Sequence, residues 1–131
     1  MRLLLDTHVA LWAITDAPAL PAKARDLILA SETEVYVSAA SVWEISIKHG
    51  LGRKGANAMP VSGAQALQYF DAAGYFLLPI SAEHAAAVET LPKRHADPFD
   101  RLLIAQALYE PLRLMTHDTD IAGYSETIIK I

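Results

Sequence analysis

Carboxylates recur at four places in the chain, each beside an apolar stretch. Asp6 ends Arg2-Leu-Leu-Leu-Asp6, and Glu44 stands between Trp43 and Ile45 in Ser41-Val-Trp-Glu-Ile-Ser-Ile-Lys48. Asp97 and Asp100 bracket a proline in His95-Ala-Asp-Pro-Phe-Asp-Arg-Leu-Leu-Ile-Ala-Gln-Ala107, and Asp118 and Asp120 follow Arg113-Leu-Met-Thr116. Acids gathered in one place repel one another and take up protons more readily unless a cation neutralises them. With oxygen ligands and no cysteine in the chain, the ion favoured is a hard one, Mg²⁺ or Mn²⁺, rather than zinc. Such a site suits metal-assisted hydrolysis of a phosphodiester, in which the ion activates water, orients the phosphate and stabilises charge on the leaving oxygen. Without metal the same carboxylates repel a polyanion, so strict metal dependence is expected. Grip on the backbone must then come from basic groups: Lys48, Arg53 and Lys54, or Lys93 and Arg94.

Each acid also has a purely structural use. Asp6 suits a helix N-cap, and Glu44 could pair with Lys48 one turn away. Asp118 and Asp120 suit a turn after a strand. In the HADPFDR stretch the two roles separate. Asp97 before Pro98 reads as an N-cap followed by proline at the first helical position, with Arg101 one turn on as its ion-pair partner. Asp100 then falls in the first turn, where its carboxylate faces the other acids. The histidines, at positions 8, 49, 84, 95 and 117, form no HxxxH or HxH pair and are read as bystanders. Trp12 and Trp43, at helical positions, are read as core.

Positioning these groups requires a scaffold, and the hydrophobic pattern supplies one. Arg2–Asp6, Val35–Ser38, Phe76–Pro79, Arg113–Thr116 and Thr127–Lys130 read as strands. Helices are predicted at Val9–Ile14, Ala22–Ser31, Ala40–Gly50, Gly63–Ala73, Ala82–Leu91 and Pro98–Glu110. The alternation implies a mostly parallel sheet with helices on both faces. Leu3 to Leu5 lack an every-second-residue pattern, as in a central strand buried on both sides. In such sheets ligands bind beyond the carboxyl ends of the strands, where Asp6, Asp100 and Asp118 collect. The glycine-rich, charged segment Gly50–Pro60 is the expected mobile loop.

The 131 residues fit one domain over 1–131, and a net charge of −4 argues against a broad nucleic-acid footprint. The apolar start, interrupted by Asp6 and His8, is too short to span a membrane, and with no cysteines the cytoplasm is the expected compartment. No G-x-G-x-x-G or G-x-x-x-x-G-K-[ST] stretch is present, so dinucleotide and P-loop binding lack their phosphate cradle. No G-x-S-x-G elbow marks an α/β-hydrolase. A phosphoacceptor receiver domain gathers acids at the same rim, but beyond Asp120 only Lys130 is offered as its basic partner.

Four stretches, LLLDTHVALW, SAASVWEISIKHGLGR, HADPFDRLLIAQA and LMTHDTDI, occur in this order over nearly the whole chain. Together they resemble PIN-domain ribonucleases, above all the VapC-like toxins of bacterial type II toxin–antitoxin pairs. The resemblance implies a three-layer α/β/α fold with a parallel five-stranded sheet, and Mg²⁺- or Mn²⁺-dependent endonuclease activity on RNA. It also implies a homodimer and inhibition by a cognate antitoxin protein. Matched residue by residue, the family's acids fall on Asp6, Glu44, Asp100 and Asp118, with Asp6, Asp100 and Asp118 at the metal. Thr7 matches a hydroxyl residue often found beside it. Asp120 is less regular in the family, and Ile121 replaces the aromatic residue often found there. The alternatives are a catalytically idle PIN-like module that binds RNA or a partner, and an RNA-processing nuclease of the same fold. Because the chain carries no added RNA-binding segment, the toxin is expected over the latter.

Overall fold

In the computed structural model, which describes residues 1–131, every strand pairs in parallel with its neighbours. The strands are β1 (Arg2–Leu5), β2 (Glu34–Ser38), β3 (Phe76–Leu78), β4 (Arg113–Thr116) and β5 (Ile129–Lys130), in the order β3-β2-β1-β4-β5. Leu3 of the central strand registers with Val35 on one side and Arg113 on the other. Leu3, Leu4 and Leu5 are all fully buried, but to opposite sides. Side chains along a strand alternate between its faces, so Leu3 and Leu5 join Val9, Val37, Phe70 and Met115 in one core. Leu4 joins Ala40, Leu103, Ile104 and Leu114 in the other.

The helices are α1 (Thr7–Ile14), α2 (Ala22–Leu29), α3 (Ala39–Gly50), α4 (Gly63–Ala72), α5 (Ala82–Ala87), α6 (Pro98–Tyr109) and α7 (Thr119–Ala122). Helices α1, α2 and α4 cover the first face, and α6 and α7 cover the second. Helix α3 contributes Ala40 to one core and Ile45 to the other. The result is the three-layer α/β/α arrangement with a parallel five-stranded sheet expected from the sequence. Two elements differ. Ala82–Leu91 is not one helix: α5 stops at Ala87 and a 3₁₀ turn over Val88–Thr90 follows. The short α7, absent from the prediction, is started by Asp118 accepting from the Asp120 and Ile121 amides, and four residues are too few to show a helical period.

Two contacts set where α3 stands. Ser38 caps α3 by accepting from the Ala40 amide, and its hydroxyl donates to Gln106 Oε1 of α6 at 2.5 Å. The other end of that amide donates to the Pro79 carbonyl at 3.2 Å. This buried polar chain joins α3 and α6, the helices that carry Glu44 and Asp100. On its other flank α3 meets α4 at Gly63, where an added Cβ would lie 1.9 Å from Ser46 Oγ and 3.1 Å from Ser46 Cβ. Gly63→Ala should therefore destabilise the fold by about 1–3 kcal/mol through overpacking, read as a lowered denaturant midpoint with an unchanged slope.

Candidate metal centre

The carboxyl ends of β1 and β4, together with the helices α3 and α6, bring the candidate acids together. Asp6 directly follows β1 and caps α1: Oδ1 accepts from the Val9 amide at 2.9 Å, and Oδ2 accepts from the Thr116 hydroxyl. Only 3% exposed, it has a pKa raised by burial, against the opposing pull of the Thr116 hydroxyl, the Val9 amide, His117 and His8. Thr116 also accepts from the Asp118 amide at 3.1 Å. One hydroxyl thus fixes the orientation of Asp6 and the start of the turn that carries Asp118.

Glu44 is 4% exposed, buried more deeply than a surface helix pair would require. Its Oε2 takes Lys48 Nζ at 2.6 Å, while Oε1 is buried without a hydrogen-bond partner. The i,i+4 pair and the ligand reading therefore hold together, one for each oxygen. A buried carboxylate oxygen left unpaired is costly, and a hard cation is the partner that such an oxygen accepts best.

Asp100 lies in the first turn of α6, whose N-cap Asp97 accepts from the Asp100 amide at 3.0 Å. Burial raises the Asp100 pKa, helped by the negative charges of Asp97 and Glu44 and opposed by His95. His95 Nε2 lies 2.7 Å from Asp100 Oδ2. An ionised carboxylate only accepts, so Nε2 carries the proton in this contact, and the imidazole helps to orient Asp100. The hydrogen bond to Asp100 also raises the His95 pKa. Ligand atoms of His95, Asp100 and Asp118 all lie within 4.8 Å of one another.

Asp118 is thus the acid of its motif that joins the cluster, while Asp120 is exposed on α7. Asp6 reaches the group through Thr116, and Glu44 through its charge on Asp100. Asp100 and Asp118, with His95, offer ligand atoms close enough to share one divalent ion, and the free oxygen of Glu44 is a further donor near Asp100. Thr7 gives its hydroxyl proton to Ser41 at 2.9 Å, a buried bond that ties α1 to α3.

Several side chains have uses the sequence did not suggest. Arg101 makes no ion pair with Asp97. The Asp97 carboxylate is turned to its own helix, and the guanidinium donates to the Val88, Pro92 and His95 carbonyls and the Tyr124 hydroxyl. Arg101 is therefore a brace for the loop that presents His95. Lys48 is held by Glu44, whereas Arg53 and Lys54 are exposed in the Gly50–Pro60 loop. Lys93 and Arg94 line a basic hollow of about 410 Å³ with His95 and Arg101, and Arg94 donates to the Gly123 carbonyl at 3.0 Å. Trp43 is not core: 56% exposed, it sits edge-on to Phe99 with ring centroids 4.9 Å apart. His95 and Thr116 are the site-forming residues that sequence reasoning missed. A histidine five residues before an acid across a helix start, and a hydroxyl two residues before an acid at a strand end, were the signals available.

The PIN domain family model matches residues 3–126. No curated protein matches the chain at a significant level. Among solved structures, the chain is similar to VapBC2 from Rickettsia felis bound to a DNA fragment from their promoter, at 16% identity and a TM-score of 0.68 over 100% of this chain and 98% of that one. It is also similar to VapBC-1 from nontypeable Haemophilus influenzae, at 18% and 0.65 over 100% and 97%. A toxin–antitoxin complex from Klebsiella pneumoniae matches at 16% and 0.63 over 98% and 99%. At these identities the likeness is one of fold. The family match over nearly the whole length, together with the parallel sheet and its acidic rim, leads to one conclusion: the chain belongs to the PIN domain family.

Proposed function

We propose that residues 1–131 act as a single PIN domain, a Mg²⁺- or Mn²⁺-dependent endoribonuclease that serves as the toxin of a toxin–antitoxin pair in the cytoplasm. The observation that carries this reading is Glu44 Oε1, a buried and unpartnered carboxylate oxygen whose side chain is near enough to Asp100 for its charge to be felt there. When bound, the ion supplies an activated water and stabilises charge on the phosphate and its leaving oxygen. The chain's part is to hold the acids ready. Thr116 fixes Asp6, His95 fixes Asp100, and the Asp120 and Ile121 amides fix Asp118. Lys48 offsets one charge of the cluster, and Lys93, Arg94, Arg53 and Lys54 are the groups offered to the RNA backbone.

The toxin role rests on likeness to the structures of VapBC2, VapBC-1 and a toxin–antitoxin complex. A cognate antitoxin and a second copy of the chain are the proposed partners. Exposed Trp43 and Ile47 on α3, Leu51 just beyond its end and Leu67 on α4 are apolar surface for such assembly. No helix is long and apolar enough to cross a membrane.

Purified protein freed of any partner should cleave RNA in Mn²⁺ or Mg²⁺, lose that activity to a chelator and regain it when the metal is restored. Absence of cleavage with both ions, combined with no Mn²⁺ binding by calorimetry, would leave an idle binding module instead.

A further inference from the structure

Beside the acids lies a group of rings that the metal chemistry does not use. His8 stands in the first turn of α1, Trp12 one turn further on, and His117 between Thr116 and Asp118. The His117 ring centroid is 5.0 Å from that of Trp12 and 5.2 Å from that of His8, and the His8 and Trp12 rings are 6.2 Å apart. Both imidazoles are exposed, while the indole is half-buried and anchored against the first core. The side-chain hydrogen bonds of this corner belong to Asp6, Thr7 and Thr116, and none uses a ring nitrogen.

Packing alone does not account for this arrangement. A patch meant to be covered by another protein is built mainly from apolar residues, as on α3, whereas here two of the three rings are imidazoles with free polar edges. Flat faces combined with unused donors and acceptors suit a nucleobase, which stacks through its π face and bonds through its edge. The position is specific as well. His8 lies in the helical turn that Asp6 caps, and His117 stands between Thr116, which bonds Asp6, and Asp118, so a base seated on the rings has its phosphate beside the acids.

We propose that His8, Trp12 and His117 form a nucleobase platform that seats an unpaired base next to the scissile phosphate and sets which base is preferred there. This deepens the endoribonuclease reading and rests on it. The platform itself can be tested without turnover. The chain has two tryptophans, so Trp43→Phe leaves Trp12 as the only one, and Asp100→Asn in the same protein suppresses cleavage. In Mg²⁺, a short unstructured oligoribonucleotide should quench Trp12 fluorescence saturably. An abasic strand with the same number of phosphates should bind about five- to hundredfold more weakly, the worth of one stacked base. Equal affinity for the two strands, or no quenching by either, overturns the platform.

In the otherwise unaltered protein, His8→Ala with His117→Ala should raise KM for the preferred sequence by a similar factor and flatten the base preference, while Mn²⁺ affinity by calorimetry stays the same. A base preference that survives the double change also overturns it. Quenching by the base-bearing strand alone, in a protein that fails to cleave RNA with any divalent ion, would support the platform while sinking the nuclease reading. Cleavage without quenching would do the opposite.

Discussion

Asp100→Asn should lower metal-dependent RNA cleavage by roughly 10²–10³-fold, the usual cost of removing one group that stabilises transition-state charge. Its Mn²⁺ binding, followed by calorimetry, should weaken in parallel. Stability should be unchanged or slightly raised, because the substitution removes a carboxylate whose charge is disfavoured by burial and by Asp97 and Glu44, and an Asn oxygen can still accept from His95. The neighbouring acid should behave in the opposite way. Asp97→Ala deletes the N-cap of α6 and should cost about 0.5–2 kcal/mol in chemical denaturation. Its effect on the chemistry should be small, since the Asp97 oxygen is engaged with the Asp100 amide. Full activity in Asp100→Asn together with inactive, stable Asp97→Ala would show the roles to be exchanged.

The metal-free protein should become more thermostable as the pH falls from about 8 toward about 5, by a few degrees in Tm. Asp6 and Asp100 have pKa values raised by folding above the ordinary 3.8. Each therefore binds its proton more tightly in the native than in the unfolded state, and the native state gains as the pH falls from the raised value toward 3.8. His95, raised above 6.5 by its hydrogen bond to Asp100, acts in the same direction: its contribution is complete below 6.5 and is lost as pH rises through its folded value. Added Mn²⁺ should reverse the slope, because metal competes with protons for the same oxygens and stabilises most where those oxygens are bare. Differential scanning fluorimetry across that pH range, with chelator and with Mn²⁺, measures both trends. A chelated protein whose Tm falls on acidification within this window would mean that the acids are not desolvated as the structure has them.

The scaffold was legible because its signals are local. Three consecutive leucines after Arg2 can only be buried on both sides of a sheet, and Asp97-Pro98 marks a helix start in two residues. The acids were legible for a related reason: in a parallel sheet the end of each strand is known once the strand is, so carboxylates placed there converge without any contact being predicted. Contacts set by loops were not legible. His95 meets Asp100 because Arg101 and Tyr124 hold the Leu91–Ala96 segment in place, and nothing in the spacing of His95 announces that brace. Helix spacing pairs Arg101 with Asp97 one turn away, whereas its guanidinium donates to three backbone carbonyls and a tyrosine hydroxyl that helix periodicity cannot see. Residue type alone places Trp43 in the core, yet its position on α3 turns it toward Phe99 and solvent.

The Thr116 bond to Asp6 spans 110 positions of sequence. A chain leaves the ribosome from its amino end, so Asp6 emerges well before the strand that orients it and leads into Asp118. Until β4 inserts beside β1, Asp6 lacks its hydroxyl partner and the cluster lacks Asp118. Chains halted or cut before β4 thus hold an incomplete site, and the acidic centre matures only once that strand has been made. The topology works as a timer: the order in which the strands are made keeps the centre unfinished until β4 is in place beside β1.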